Sequence, residues 1–151
     1  MRLWEFARAA YGRPGVKSAC LELQDVHGQS VCLLLWRLWT LAERRPVEPQ
    51  GVLAAAAIAR DWEGGVIAPL RAVRRRLEDP PGGASVAGVR RLRALAQRGE
   101  LSAERLLLRA LEAMTPAPGA DAREIVAALH DLARAWGAGA PWGLLEQLAA
   151  G

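Results

Sequence analysis

The chain has 151 residues, 52% of them hydrophobic and 24% charged, with a formal net charge of +4 and a pI near 10.0. A chain of this length buries a core as one domain without a structural metal or disulfides, and its apolar share excludes intrinsic disorder. The longest apolar run, Val31 to Trp36, stops at Arg37, far short of the roughly twenty residues a membrane-spanning helix needs.

The first helix is predicted from Leu3 to Tyr11, with Trp4, Ala7 and Tyr11 on its inward face and Glu5 and Arg8 turned outward. Those two charges also break the apolar character of the first fifteen residues, so no secretory signal is expected there. Gly12 ends this helix, Pro14 is placed in the first turn of the next, and Val16, Cys20 and Leu23 form an inward stripe. A tight Asp25-Val26-His27-Gly28 corner follows, in which Gly28 stops the second helix and Ser30 caps the third. The third helix, Val31 to Ala42, is apolar on nearly every side apart from Arg37 and Thr40, which places it at the centre of the fold.

Beyond the Pro46-to-Pro49 break, Ala55, Ile58, Trp62, Val66, Leu70, Val73 and Leu77 repeat at helical spacing. Pro69 removes a hydrogen bond to residue 65 and crowds its carbonyl, so Gly65 marks a kink in one long bent helix from about Gly51 to Leu77. The PPGGAS segment, 80–85, is a loop that leaves Ser85 as the next N-cap. Leu92, Leu95, Gly99, Ala103, Leu106 and Ala110 then favour a single helix to about Met114 over two helices broken at Gly99. The TPAPGA segment, 115–120, leads to a helix carrying Ile125, Leu129, Leu132 and Trp136, a break from Gly137 to Pro141, and a short closing helix from Trp142 to Leu148. The expected fold is all-α, a single-domain helical bundle of about five main helices over residues 1–115 with a variable C-terminal helical extension over 116–151.

Groups able to do chemistry are few. Cys20 and Cys32 sit at apolar helical positions, where inert buried thiols in a reduced, cytoplasmic setting are expected. His27 and His130 are far apart, no metal-ligand spacing joins them, and Gly82-Gly83 lacks the strand a phosphate cradle requires, so neither metal nor cofactor is expected. Asp25 stands in the last turn of its helix, where the dipole disfavours a carboxylate by a few tenths to ~1 kcal/mol. It is expected to cap the third helix, to pair with an arginine, or to orient His27 as an acid–base pair. Six tryptophans against one tyrosine and one phenylalanine are expected to fill the core; the alternative is that one or two line a groove beside Tyr11, Gln24, Asp25 and His27. The candidate partner-binding set is therefore Trp4, Tyr11, Gln24, Asp25, His27 and Trp36, while Asp25 and His27 form the alternative catalytic pair.

Nineteen of the twenty basic residues are arginine. Ten of them fall between Arg71 and Arg109 against four carboxylates, a local balance of +6, and Arg74, Arg75, Arg90 and Arg91 give an alternative nucleic-acid surface. No aromatic residue is interleaved among them for base stacking, which favours a solvated helix face.

The elements LWEFA at 3–7, Tyr11, PGV at 14–16, ACL at 19–21, LQD at 23–25, His27-Gly28, V-x-LLLW at 31–36 and LW at 38–39 occur in order. In this the chain resembles a proteobacterial family of small helical proteins, the domain of unknown function 2390. The likeness is dense over the first forty-five residues and looser to the helix ending near Met114; the region after Thr115 lies outside it. Cys32 departs from the asparagine that the resemblance leads one to expect, so no ligand role is carried over to that side chain. The resemblance implies a helical fold in a bacterial cytoplasm and supplies no reaction. With no catalytic set complete, a non-enzymatic binding or adaptor protein is expected, the corner from Gln24 to Gly28 and its aromatic face receiving a protein segment or small ligand. A small enzyme and a nucleic-acid binder are the alternatives, and no membrane association is expected.

Overall fold

The computed structural model describes residues 1–119, 125–137 and 139–150. The expected 115–120 linker, the 137–141 break and the 116–151 extension each include residues outside these. Helix α1 (Leu3–Tyr11) ends at Gly12, as its spacing predicts. Its core face is Leu3, Ala7 and Ala10, whereas Trp4 and Tyr11, expected inside, are only half-buried. The reason is that the helix meets its neighbours along the Leu3 side and leaves the Trp4–Tyr11 flank beside a cavity.

Helix α2 (Val16–Asp25) starts two residues after Pro14, which the sequence places in its first turn and the structure leaves outside it, because Gly15 takes the N-cap in the left-handed conformation at φ +80°. A Cβ at Gly15 would meet nothing within 4 Å. The expected cost of Gly15→Ala is therefore conformational alone, about 1 kcal/mol, read as a lower urea midpoint at unchanged m-value. Val16, Cys20 and Leu23 are buried as expected. Gly28, at φ +61°, stops the chain and lets the Gln29 N–H donate to the Leu23 carbonyl at 2.9 Å.

Ser30 then accepts from the Leu33 N–H at 3.4 Å and opens α3 (Val31–Ala42). Every α3 residue from Val31 to Leu41 is buried, which makes this helix the centre of the fold. Its two indoles are buried with their N–H groups satisfied, as large aromatic side chains with a polar handle require. Trp36 Nε1 donates to Thr115 Oγ1 at 2.8 Å and Trp39 Nε1 to the Met1 carbonyl at 2.9 Å.

Helices α4 (Pro49–Trp62) and α5 (Ala68–Arg76) form one helical run joined by a π turn, Glu63–Ile67. The predicted kink at Gly65 is this turn, in which the Ala68 N–H reaches back to the Glu63 carbonyl. A π turn inserts extra chain into the helical repeat and so shifts the phase beyond it. Val66 and Val73, expected inside, are exposed at 39% and 46%, while Ile67 is fully buried and Arg71 and Arg74 turn inward.

Helix α6 (Val86–Met114) runs unbroken through Gly99, with Ser85 as its cap. Its buried line is Ala96, Glu100, Ala103, Leu107, Leu108 and Leu111, not the predicted line through Leu92, Leu95 and Leu106, which are exposed. Small residues on α6 let α5 approach closely: a Cβ at Gly99 would stand 3.4 Å from Leu70. Helices α7 (Ile125–Trp136) and α8 (Trp142–Ala150) pack on α3, α4 and α2, and Leu129, Leu132, Leu145 and Leu148 join the same core as α3. Among the described residues there is no strand, and no helix is long and apolar enough to cross a membrane.

Candidate functional site

A cavity of about 280 Å³ lies between α1, α2, α3 and α6. Helical spacing supplies its walls: Trp4 and Tyr11 from α1, Cys32 and Leu35 from α3, and Leu101, Glu104 and Leu108 from α6. Gln24 closes it from α2, and Arg8 stands at its mouth.

Behind Glu104 lies a charged cluster that the π turn assembles. Glu63 enters from the turn itself and accepts from Ser30 Oγ at 3.2 Å, so the α3 cap is tied to the cluster. Arg71 Nε and Arg74 Nε each donate to Glu100 at 2.8 Å. Arg71 also reaches Glu63 with Nη1 at 3.6 Å and Glu104 with Nη2 at 3.8 Å. Three carboxylates thus share two guanidinium groups. Arg71 lies among the carboxylates, and no cluster of His, Cys, Asp and Glu able to hold a metal occurs among the described residues.

Burial dominates the electrostatics here. It pushes the Glu104 carboxyl up to about 7, with Glu100 adding to the rise and Arg71 opposing it. Burial raises Glu63 as well, against the pull of Arg71. The Tyr11 phenol lies above its usual range, the Cys20 thiol is pushed up to about 12, and the Cys32 thiol stands well above its ordinary value, all through burial first. Neither thiol is an activated nucleophile at neutral pH.

Of the residues singled out from the sequence, Trp4, Tyr11 and Gln24 meet in this cavity. Trp36 is fully buried and does not line it. Asp25 is exposed, with Arg75 Nη2 donating to its carboxylate at 2.6 Å and Gln24 Nε2 at 3.0 Å. The Gln24 hydrogen bond, with further help from Arg75, holds the Asp25 carboxyl below its ordinary value. Among the three partners open to Asp25, the arginine is the one observed, and no Asp25–His27 hydrogen bond forms. His27 instead lines a separate, open cavity of about 430 Å³ with His130 and Arg134, where His130 stacks on Trp142 at 4.4 Å.

The basic strip is less basic than its sequence suggests. Arg71, Arg74, Arg75 and Arg93 are each in an ion pair; of the proposed nucleic-acid set Arg75, Arg90 and Arg91 are exposed and Arg74 is half-buried. Glu63, Arg71, Glu100 and Glu104 were not singled out from the sequence. The available signal was Glu100, which stands on the same helical line as Ala96, Ala103 and Leu107 with Glu104 one turn further on.

A family model described as a protein of unknown function (DUF2390) matches residues 2–111. No curated protein and no solved structure matches the chain.

Proposed function

Because the chain belongs to that family, whose description assigns no chemistry, we propose from the site alone that it is a non-enzymatic binding protein. Its α1–α2–α3–α6 cavity receives a small ligand, or a side chain presented by a partner segment. The observation that carries this is the cavity itself: largely apolar walls, polar groups from Tyr11, Gln24 and Glu104 with Arg8 at the mouth, and no nucleophile–base set among them. The corner contributes through Gln24, whose amide is held by Asp25 and, through it, by Arg75. A reduced, cytoplasmic setting fits the two free, buried cysteines.

Leu101 tests the proposal, since it lines the cavity yet is 51% exposed and can be enlarged without disturbing the core. Compounds from a small-molecule library that raise the melting temperature of the wild type should not raise that of Leu101→Trp. Asp25→Ala, which frees Gln24, should weaken the same compounds several-fold while leaving the fold intact. Equal stabilisation of all three proteins would remove the cavity from consideration.

A further inference from the structure

We propose that the cavity takes a small organic amine, its ammonium head paired with Glu104 and its apolar body against Trp4, Leu35 and Leu108, a ligand class that rests on this cavity being the binding site. Charge in the adjoining cluster points to a missing cation. With Glu63, Glu100 and Glu104 ionised against Arg71 and Arg74, one negative charge is left over.

The geometry places that charge. Glu100 holds both short contacts, at 2.8 Å each. Glu63 has the Ser30 hydroxyl at 3.2 Å and Arg71 at 3.6 Å. Among the described residues Glu104 has only Arg71 Nη2, at 3.8 Å, beyond hydrogen-bonding distance. It is also the one carboxylate of the three that lines the cavity. The least-compensated anion therefore faces the space a ligand would occupy, beside an indole and a phenol. Aromatic faces with a carboxylate at the end of an apolar pocket are the chemistry that receives an ammonium group.

Among the described residues, no guanidinium within ion-pair distance of Glu104 other than that of Arg71 supplies the missing cation. Arg71 and Arg74 of α5 are spent on Glu100, and Glu63 of the π turn and Glu100 of α6 add negative charge. Tyr11 of α1, Cys20 of α2 and Cys32 of α3 remain neutral, and Arg8 lies exposed at the mouth. Arg105 is held over the Trp4 ring at 5.2 Å. Since the Glu104 carboxyl titrates near neutrality, ionising it at pH 7 costs little, and an arriving ammonium displaces a proton.

Three matched probes test the inference by NMR on the wild type and Glu104→Gln: 2-phenylethylamine, the neutral 2-phenylethanol and the anionic 3-phenylpropanoate. The amine should bind selectively, shifting resonances of Leu35, Leu101 and Leu108. Its affinity should rise about tenfold for each pH unit well below 7 and level off above it. Glu104→Gln removes the excess charge without adding bulk, so it should keep the wild-type spectrum while losing at least tenfold in amine affinity and all of the pH dependence. If the alcohol binds as well as the amine, or Glu104→Gln retains the amine, the cation is overturned while the cavity survives as a binding site. If none of the probes perturbs the cavity resonances, neither holds.

Discussion

Arg71→Met is expected to destabilise the protein by about 3–5 kcal/mol at pH 8, the range for leaving a buried charge without its partner. The Arg71 side chain is 12% exposed and lies within 4 Å of Glu63, Glu100 and Glu104 at once. Without it, three carboxylates share Arg74 alone. Methionine fills much of the volume, so the loss is mainly electrostatic, not a cavity effect. Protonation relieves part of it: the glutamates take up protons when the guanidinium goes, so the variant should lose less at pH 5 than at pH 8. Adding Glu100→Gln should restore a good part of the loss, and a double-mutant cycle by urea denaturation would show it as a coupling of more than about 1 kcal/mol. Arg75→Ala serves as the control. Its Asp25 contact is short but joins side chains that are 49% and 40% exposed, and such pairs contribute about 0–1 kcal/mol. Equal, small losses at both pH values for Arg71→Met would mean that the cluster is not energetically coupled.

The helix boundaries of α1, α3 and α6 were legible because local chemistry sets them: Gly12 ends one, and Ser30 and Ser85 each accept a backbone N–H at the start of another. The centrality of α3 was legible for a related reason, since a helix apolar all round has nowhere else to go. Phase was harder. The Gly-Gly and Pro69 signals locate the irregularity, but a 3.6-residue count carried through it assigns Val66 and Val73 inward where Ile67 and two arginines go. On α6, counting leucines selects the wrong flank, because close approach of α5 favours Ala96, Ala103 and Gly99 at the contact and a charged Glu100 that finds its partners there.

The site divides along the same line. Trp4, Tyr11 and Gln24 stood out by residue type and lie in the cavity. Glu104 did not, since its behaviour depends on Arg71 and Glu63, which are thirty-three and forty-one residues away and are brought to it by the π turn. The misplacement of Asp25 on its helix is visible in the sequence, yet its partner lies fifty residues on, in a helix whose phase the sequence obscures.

Glu104→Gln should make the protein more stable than the wild type at pH 8 and leave it almost unchanged at pH 5. The Glu104 carboxyl rises from its ordinary 4.5 to about 7 in the fold. Between those values the folded state therefore holds a proton that the unfolded state has released. The Glu104 contribution to wild-type stability is then greatest below 4.5 and falls as pH climbs, levelling off once the folded carboxyl has ionised above 7. Each unit of difference is worth about 1.4 kcal/mol, and with the side chain 29% exposed the loss across this window should be about 1–3 kcal/mol. Glu63, also raised, adds to the fall, whereas the lowered Asp25 acts only below the ordinary carboxylate range. Chemical denaturation at pH 5, 6, 7 and 8 reads the difference directly, and parallel profiles for the two proteins would rule Glu104 out as its source. The instability at pH 8 and the proposed amine site are one property, an anion with too few counter-charges. A bound ammonium should therefore stabilise the wild type more at pH 8 than at pH 5, whereas a ligand held only by the apolar walls would stabilise it equally at both.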